Sequence, residues 1–162
     1  DQLPKAELND GIVVDSFSNA IKTHGEIITN HYAKLADTAK DALTAFNTML
    51  AQDGLFVYVP KGVKSDRTIQ VINILRSDVD LMLNRRILIV LEEGAELSML
   101  FCDDSADDRK FLATQVIEAY VGDNAKLELN CLEERMYVSQ MFTSTSKATV
   151  VCRTTLSRFI ME

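Results

Sequence analysis

The sequence has 162 residues, 47% of them hydrophobic and 25% charged, with 24 acids against 17 bases and a net charge of −7. A chain of this size can enclose one ordinary core, and its balance of apolar and charged residues excludes disordered and low-complexity polypeptides. An acidic pI near 4.9, with no basic cluster denser than Arg85–Arg86, argues against nucleic acid and anionic membrane as partners.

The first third reads as helical. Between Ser16 and Ala36 the apolar residues Phe17, Ala20, Ile21, Ile27, Ile28, Tyr32 and Leu35 recur at rough helical spacing, interrupted at Gly25. A second helix is expected after a cap at Asp37 or Thr38. Ala39, Leu43, Phe46 and Leu50 would line one side of it, Lys40, Asp41, Thr44 and Asn47 the polar side, and Gly54 would end it in a left-handed turn.

From Leu55 onward the pattern changes to period two and repeats. The turns around Gly62, Gly94 and Asn124 superimpose at offsets of 32 and 30 residues, and Gly and Asn are the residues that tolerate a positive φ. Ahead of the turns, Leu55/Val57/Val59, Ile87/Ile89/Leu91 and Ile117/Ala119/Val121 share one face. Behind them, Ala95/Leu97/Met99/Phe101 align with Ala125/Leu127/Leu129/Cys131, and Glu96, Ser98, Leu100, Lys126, Glu128 and Asn130 take the opposite face. After Gly62 the first copy loses the match. A strand, a corner and a second strand every ~30 residues is the signature of stacked windings that cover one another's apolar faces. The expected fold is therefore mainly β: a partial parallel β-helix over residues 55–162, preceded by a helical segment over residues 1–54. An antiparallel sandwich is the alternative, because alternation does not report strand direction.

No catalytic constellation emerges. Cys102, Cys131 and Cys152 lie far apart in sequence and read as free thiols of a reducing compartment, which favours the cytoplasm. Cys131 sits at an inward position and reads as a core residue, and Cys102 as lying near the surface. His24 and His31 are two helical turns apart, too far to share a metal without a third group. The run Asp103-Asp104-Ser105-Ala106-Asp107-Asp108 lacks the spacing of a calcium loop and reads as a solvated loop that interrupts strand pairing. The pairs Glu92–Glu93 and Glu133–Glu134 fall at strand ends, as a polar rim does. No apolar run approaches the ~20 residues of a membrane span, and the first residues, Asp1-Gln2-Leu3-Pro4, carry no secretory pattern. The sequence begins with Asp rather than Met, which reads as a processed or partial chain.

Several stretches in order resemble one family. They are Lys34-Leu-Ala-Asp37, Ala42 to Asn47, Asp53-Gly-Leu-Phe-Val-Tyr-Val-Pro-Lys-Gly-Val63 and Arg86-Ile-Leu-Ile-Val-Leu-Glu-Glu-Gly-Ala95. Phe111-Leu-Ala-Thr-Gln-Val116, Tyr120-Val-Gly-Asp-Asn-Ala125 and Leu132-Glu-Glu134 continue the series. From Gly11 to Glu134 the chain resembles the SufB/SufD family of iron–sulfur cluster assembly proteins, most closely its SufD-like members. The resemblance implies a right-handed parallel β-helix behind a helical N-terminal region. It also implies a non-catalytic scaffold role in a cytoplasmic complex with SufB-like and SufC-like subunits, SufC being the ATPase. Family members are several hundred residues long, so this chain is expected to be a shortened form without the later windings and the ATPase-docking region. No catalytic, cofactor-binding or metal-ligating residue transfers to it. A nascent iron–sulfur cluster is expected only in the full complex, and self-association is expected through the last winding. Two rival readings are a stand-alone β-helical oligomerisation module and a carbohydrate-active β-helix enzyme. The second is disfavoured by the lack of an aromatic ladder on the outward faces.

Overall fold

The structure is a computed structural model that describes residue 8 and residues 11–105, 111–133, 138–145 and 149–156. Asp107, Asp108 and Glu134, and the first residues Asp1 to Pro4, lie outside the described residues. The chain is mainly β. After β1 (Val13–Ser16), α1 (Phe17–His31) and α2 (Ala42–Leu50) come eight strands: β2 (Gly54–Val59), β3 (Lys64–Leu75), β4 (Leu81–Leu91), β5 (Glu96–Ser105), β6 (Phe111–Val121), β7 (Lys126–Glu133), β8 (Val138–Thr145) and β9 (Thr149–Leu156).

These strands fall alternately into two sheets, ordered β1-β2-β4-β6-β8 and β3-β5-β7-β9. Every pairing is parallel except that of β1 with β2. An antiparallel sandwich is thereby excluded. The registers follow the sequence repeat: Val59 lies beside Leu91 and Leu91 beside Val121, while Leu97 lies beside Leu127. The corner residues all take the left-handed conformation, at φ 74° for Gly62, 69° for Gly94 and 58° for Asn124. Main-chain hydrogen bonds tie one corner to the next, Gly62 N to Glu93 O and Gly94 N to Asp123 O.

The irregular first copy has a local cause. Lys64 pairs with Glu96 but Thr68 pairs with Ser98, so β3 bulges across residues 65–67 and regains the ladder afterwards. Between the sheets lies one apolar core built from the inward positions read off the repeat. Leu55, Val57, Ile89, Leu91, Leu97, Met99, Phe101, Ala119, Leu127, Leu129 and Cys131 all belong to it.

The helical third departs from expectation in three ways. β1 occupies residues 13–16, where it pairs with β2. The first helix stops at His31 and is kinked at His24 (φ −128°, ψ 27°), one residue before the expected break at Gly25. The second helix begins at Ala42 under an Asp41 cap, because the Asp41 carboxylate accepts the Thr44 N–H at 2.5 Å, whereas Asp37 turns to the Ala39 N–H of the preceding bend. Its buried side is also shifted, with Phe46 and Leu50 of the expected stripe only half-buried. Thr44 and Asn47 are fully buried while Leu43 is 43% exposed.

Gly54 does not end this helix. It opens β2, and its lack of a side chain lets the Arg86 carbonyl and the Phe17 ring approach: a Cβ there would lie 2.1 Å from Arg86 O and 2.5 Å from the ring. Among the described residues no helix is long and apolar enough to cross a membrane.

Candidate functional site

Alternation along a strand sends every second residue to the face opposite the core. On the sheet containing β2, β4 and β6 that outer face carries Phe56, Tyr58, Arg86, Leu88, Val90, Glu118 and Tyr120. Neighbouring positions are Phe56–Leu88–Glu118 and Tyr58–Val90–Tyr120. The apolar members pack with Ala20 and Ile28 of α1 into a second core. His24 lies against Phe56 and Tyr58, and His31 meets the Tyr120 ring edge-on at 4.5 Å.

Two charges are enclosed in this layer. Arg86 and Glu118 are both 0% exposed, with Arg86 Nη2 donating to Glu118 Oε2 at 2.7 Å. Burying an ion pair is unfavourable unless its remaining lone pairs and protons are satisfied. The bend after α1 supplies the rest for Glu118. The N–H groups of Ala33, Leu35 and Ala36 donate to its two oxygens at 2.8, 2.9 and 3.0 Å. Ala33 holds a φ of 57° within that bend. Arg86 donates through Nη1 to Thr48 Oγ1 at 2.8 Å, and its guanidinium lies 5.1 Å from the centre of the Tyr32 ring.

A third link is Asn47 of α2. Its amide donates to Arg85 O, Thr114 O and Thr114 Oγ1, and Thr114 Oγ1 donates in turn to Asn84 Oδ1. The helices are thus fastened to the sheet by a polar seam whose ends are Glu118 and Asn47.

A second polar group closes the core from inside. Arg85 donates through both terminal nitrogens to Asp103, at 2.6 and 3.0 Å, and Asn73 Nδ2 donates to Asp103 Oδ1 at 2.8 Å. Asp103 is 5% exposed and belongs to β5, as does Asp104. The expectation of a solvated loop from Asp103 onward is corrected to that extent: the Arg85 guanidinium neutralises the acid, so the strand continues through it. Glu92 and Glu93 do form an exposed rim, with Tyr58 donating to Glu92 and Lys61 to Glu93. Burial, and then the Glu92 charge, raise the Tyr58 hydroxyl above its ordinary pKa; burial and the Glu118 charge do the same to Tyr120.

Cys102 and Cys131 do not converge. Cys131 faces the core beside Phe101, whereas Cys102 takes the opposite face of its sheet, within 3.3 Å of Gln70 Nε2. Cys152 holds a register position beside Leu129 in β9. Among the described residues no three His, Cys, Asp or Glu side chains are grouped to hold a metal ion. Of the buried carboxylates, Glu118 accepts from four donors and Asp103 from three. What this arrangement does is position: it fixes the helical layer on the stacked strands.

Residue-by-residue reading of the sequence did not find Glu118 or Thr114, and it set Asn47 on the polar side of its helix rather than against the sheet. The available signal was a lone acid amid Ile117, Ala119 and Tyr120, at an alternation position where the neighbouring strands carry Phe56 and Leu88.

Two family models match the chain: the SufBD protein N-terminal region over residues 1–71, and the SufBD core domain of SUF-system FeS cluster assembly over residues 73–157. A SufBD family protein of iron–sulfur cluster assembly from Synechocystis is 30% identical over 126 residues, covering 76% of this chain and 26% of that protein. The iron–sulfur cluster assembly protein SufB of Bacillus subtilis is 29% identical over 111 residues, 68% of this chain and 24% of its own length. A SufBD family protein of Staphylococcus saprophyticus is 24% identical over 147 residues, 90% of this chain and 31% of its own. The chain therefore spans about a quarter to a third of the length of these relatives.

Proposed function

The chain belongs to the SufB/SufD family of iron–sulfur cluster assembly proteins, and from that premise we propose that it acts as a non-catalytic, SufD-like scaffold element in the cytoplasm. Its partners would be SufB-like and SufC-like subunits. The nascent iron–sulfur cluster would be the cargo of the complete assembly, held by groups other than those described here.

The observation that carries this reading is the parallel ladder that runs from β2 to β8 and, past the bulge at residues 65–67, from β3 to β9. Windings locked in that way make a stiff column, and a scaffold works by holding partner surfaces at fixed spacing. We further assign the windings to a right-handed parallel β-helix. Support comes from the general handedness of parallel crossovers in one sheet, which are right-handed in about 98% of cases. The seam of Glu118, Arg86 and Asn47 adds a fixed helical layer on one flank.

Co-purification tests the proposal. The chain, expressed with SufB-like and SufC-like proteins of the same source, should be recovered in a complex with them at defined stoichiometry. Recovery of the chain alone, while the other two associate with each other, would refute it.

A further inference from the structure

We propose that the helical layer, residues 17–53, is a flap that opens as one body and uncovers the outer face of β2, β4 and β6 while the strands stay stacked. The path of the chain supplies the hinge. β1 and β2 are antiparallel neighbours with Ser16 directly beside Leu55, so the chain leaves the sheet after Ser16 and returns to it one strand away. α1, the bend and α2 are therefore an excursion from a single point. Asp53 cinches that point, accepting from the Ser18 N–H at 3.2 Å and from Ser18 Oγ at 2.9 Å. Strand pairing stops at Ser16 and resumes at Gly54, so the excursion lifts without breaking the ladder on either side of it.

The stack and the flap are held by different forces. Inside the stack the contacts are apolar and dry, with Ile89, Met99, Leu127 and Leu129 all 0% exposed. From the two helices only Ala20 and Ile28 enter the buried apolar cluster with Phe56, Leu88 and Val90, and the buried residues of α2 are Thr44 and Asn47. The remaining ties are polar: the bend N–H groups to Glu118, Arg86 to Thr48, Asn47 to Arg85 O and Thr114, and Tyr120 Oη to His31 O at 2.8 Å. Water takes over such bonds when the layer lifts, but nothing in water replaces buried apolar surface. Closure also carries its own costs. Arg86 Nε and Asn47 Oδ1 are buried without a hydrogen-bond partner among the described residues, and Ala33 is held at a φ of 57°.

The ion pair makes the opening cooperative. Glu118 grips the bend, and Arg86, bonded to Glu118, also holds Thr48 of α2. Releasing the bend therefore strands Arg86 and loosens α2 with it. What the open flap uncovers is an apolar and aromatic surface, Phe56, Tyr58, Leu88, Val90 and Tyr120, with that ion pair among them. The inference is independent of the scaffold role, because the column of strands is the same in both states.

Native-state hydrogen exchange, read amide by amide over a low-urea series, tests it. After correction for intrinsic rates, amides of α1 and α2 should exchange through one shared opening with a common urea slope, at least about tenfold faster than those of β4, β5 and β6. Glu118→Gln, which strips the charge from the latch, should speed exchange of both helices by about a hundredfold, the scale of breaking a buried ion pair. Ile89→Val, inside the stack, should speed strand exchange by about two- to tenfold and leave the helices unchanged, because the stack is intact in the open form. Wild type and Ile89→Val decide the question even if Glu118→Gln does not fold. Helices that exchange only together with the strands, or that open separately from each other, would overturn the proposal. So would helices that Ile89→Val speeds as much as the strands, or a folded Glu118→Gln chain whose helices exchange at the wild-type rate.

Discussion

Glu118 is the residue whose environment is most demanding, a carboxylate shut off from water with four donors on two oxygens. Removing one member of a buried ion pair leaves the other charged and unpaired, at a cost of about 3–5 kcal/mol. Glu118→Ala should lower the urea-unfolding free energy by that order. Arg86→Met combined with Glu118→Ala should cost less than the sum of the two, since neither leaves the other stranded. Glycines make a second comparison at this scale. Gly54→Ala would drive a methyl into the Arg86 carbonyl and should destabilise by about 1–3 kcal/mol or more. Gly25→Ala, in α1 with Ile21 no closer than 3.8 Å, should stabilise by up to about 1 kcal/mol. Thermal denaturation of the two variants separates these effects. Alkaline behaviour follows from the tyrosines. Tyr58 and Tyr120 have folded pKa values above the ordinary 10.0, so their contribution is fully present below pH 10.0 and is lost as pH rises through the raised values. Tyr58→Phe and Tyr120→Phe should each flatten the alkaline fall in stability, read as unfolding midpoints from pH 9 upward.

At the scale of elements, α2 shows where sequence pattern misleads. Ala39, Leu43, Phe46 and Leu50 form a convincing apolar stripe, yet the helix starts only at Ala42 and presents Thr44 and Asn47 inward. The reason is the surface beneath it. The sheet at that point offers polar partners, the carbonyls of Arg85 and Thr114 and the Thr114 hydroxyl, so an amide fits there better than a leucine. Periodicity reports that a helix has two faces but not which face its support prefers. Asn47→Leu should therefore destabilise by about 1–3 kcal/mol through the unsatisfied Thr114 and Arg85 groups, whereas Leu43→Ala should stay within about 0.5 kcal/mol, as exposed substitutions do. Chemical denaturation of this pair gives the opposite ranking if the stripe were the buried face. The strands behaved differently. Their inward residues were legible in the sequence because the same alternation recurs at offsets of 32 and 30, and the corners betray themselves through Gly62, Gly94 and Asn124. The bulge at 65–67 was visible only as a lost match. Its pairing required the ladder to be seen.

For the whole molecule, the repeat matches two parallel sheets whose strands alternate along the chain, and the family match says to what kind of protein they belong. Neither the buried seam nor the inner cluster of Arg85, Asp103 and Asn73 could be read from single positions, because each joins residues from three or more separate segments. Asp103 is instructive: in sequence it opens an acidic run, and only a guanidinium 18 residues earlier explains why the strand continues through it. The account depends on adjacent windings lying side by side in one direction, with equivalent apolar residues in contact. Nuclear Overhauser contacts in a methyl- and amide-labelled sample address that directly. Methyl contacts between Leu97 and Leu127 are predicted, together with the amide–α-proton pattern of parallel strands from Ser98 to Glu128. Close α-proton to α-proton contacts between those segments, or no methyl contact between Leu97 and Leu127, would contradict it.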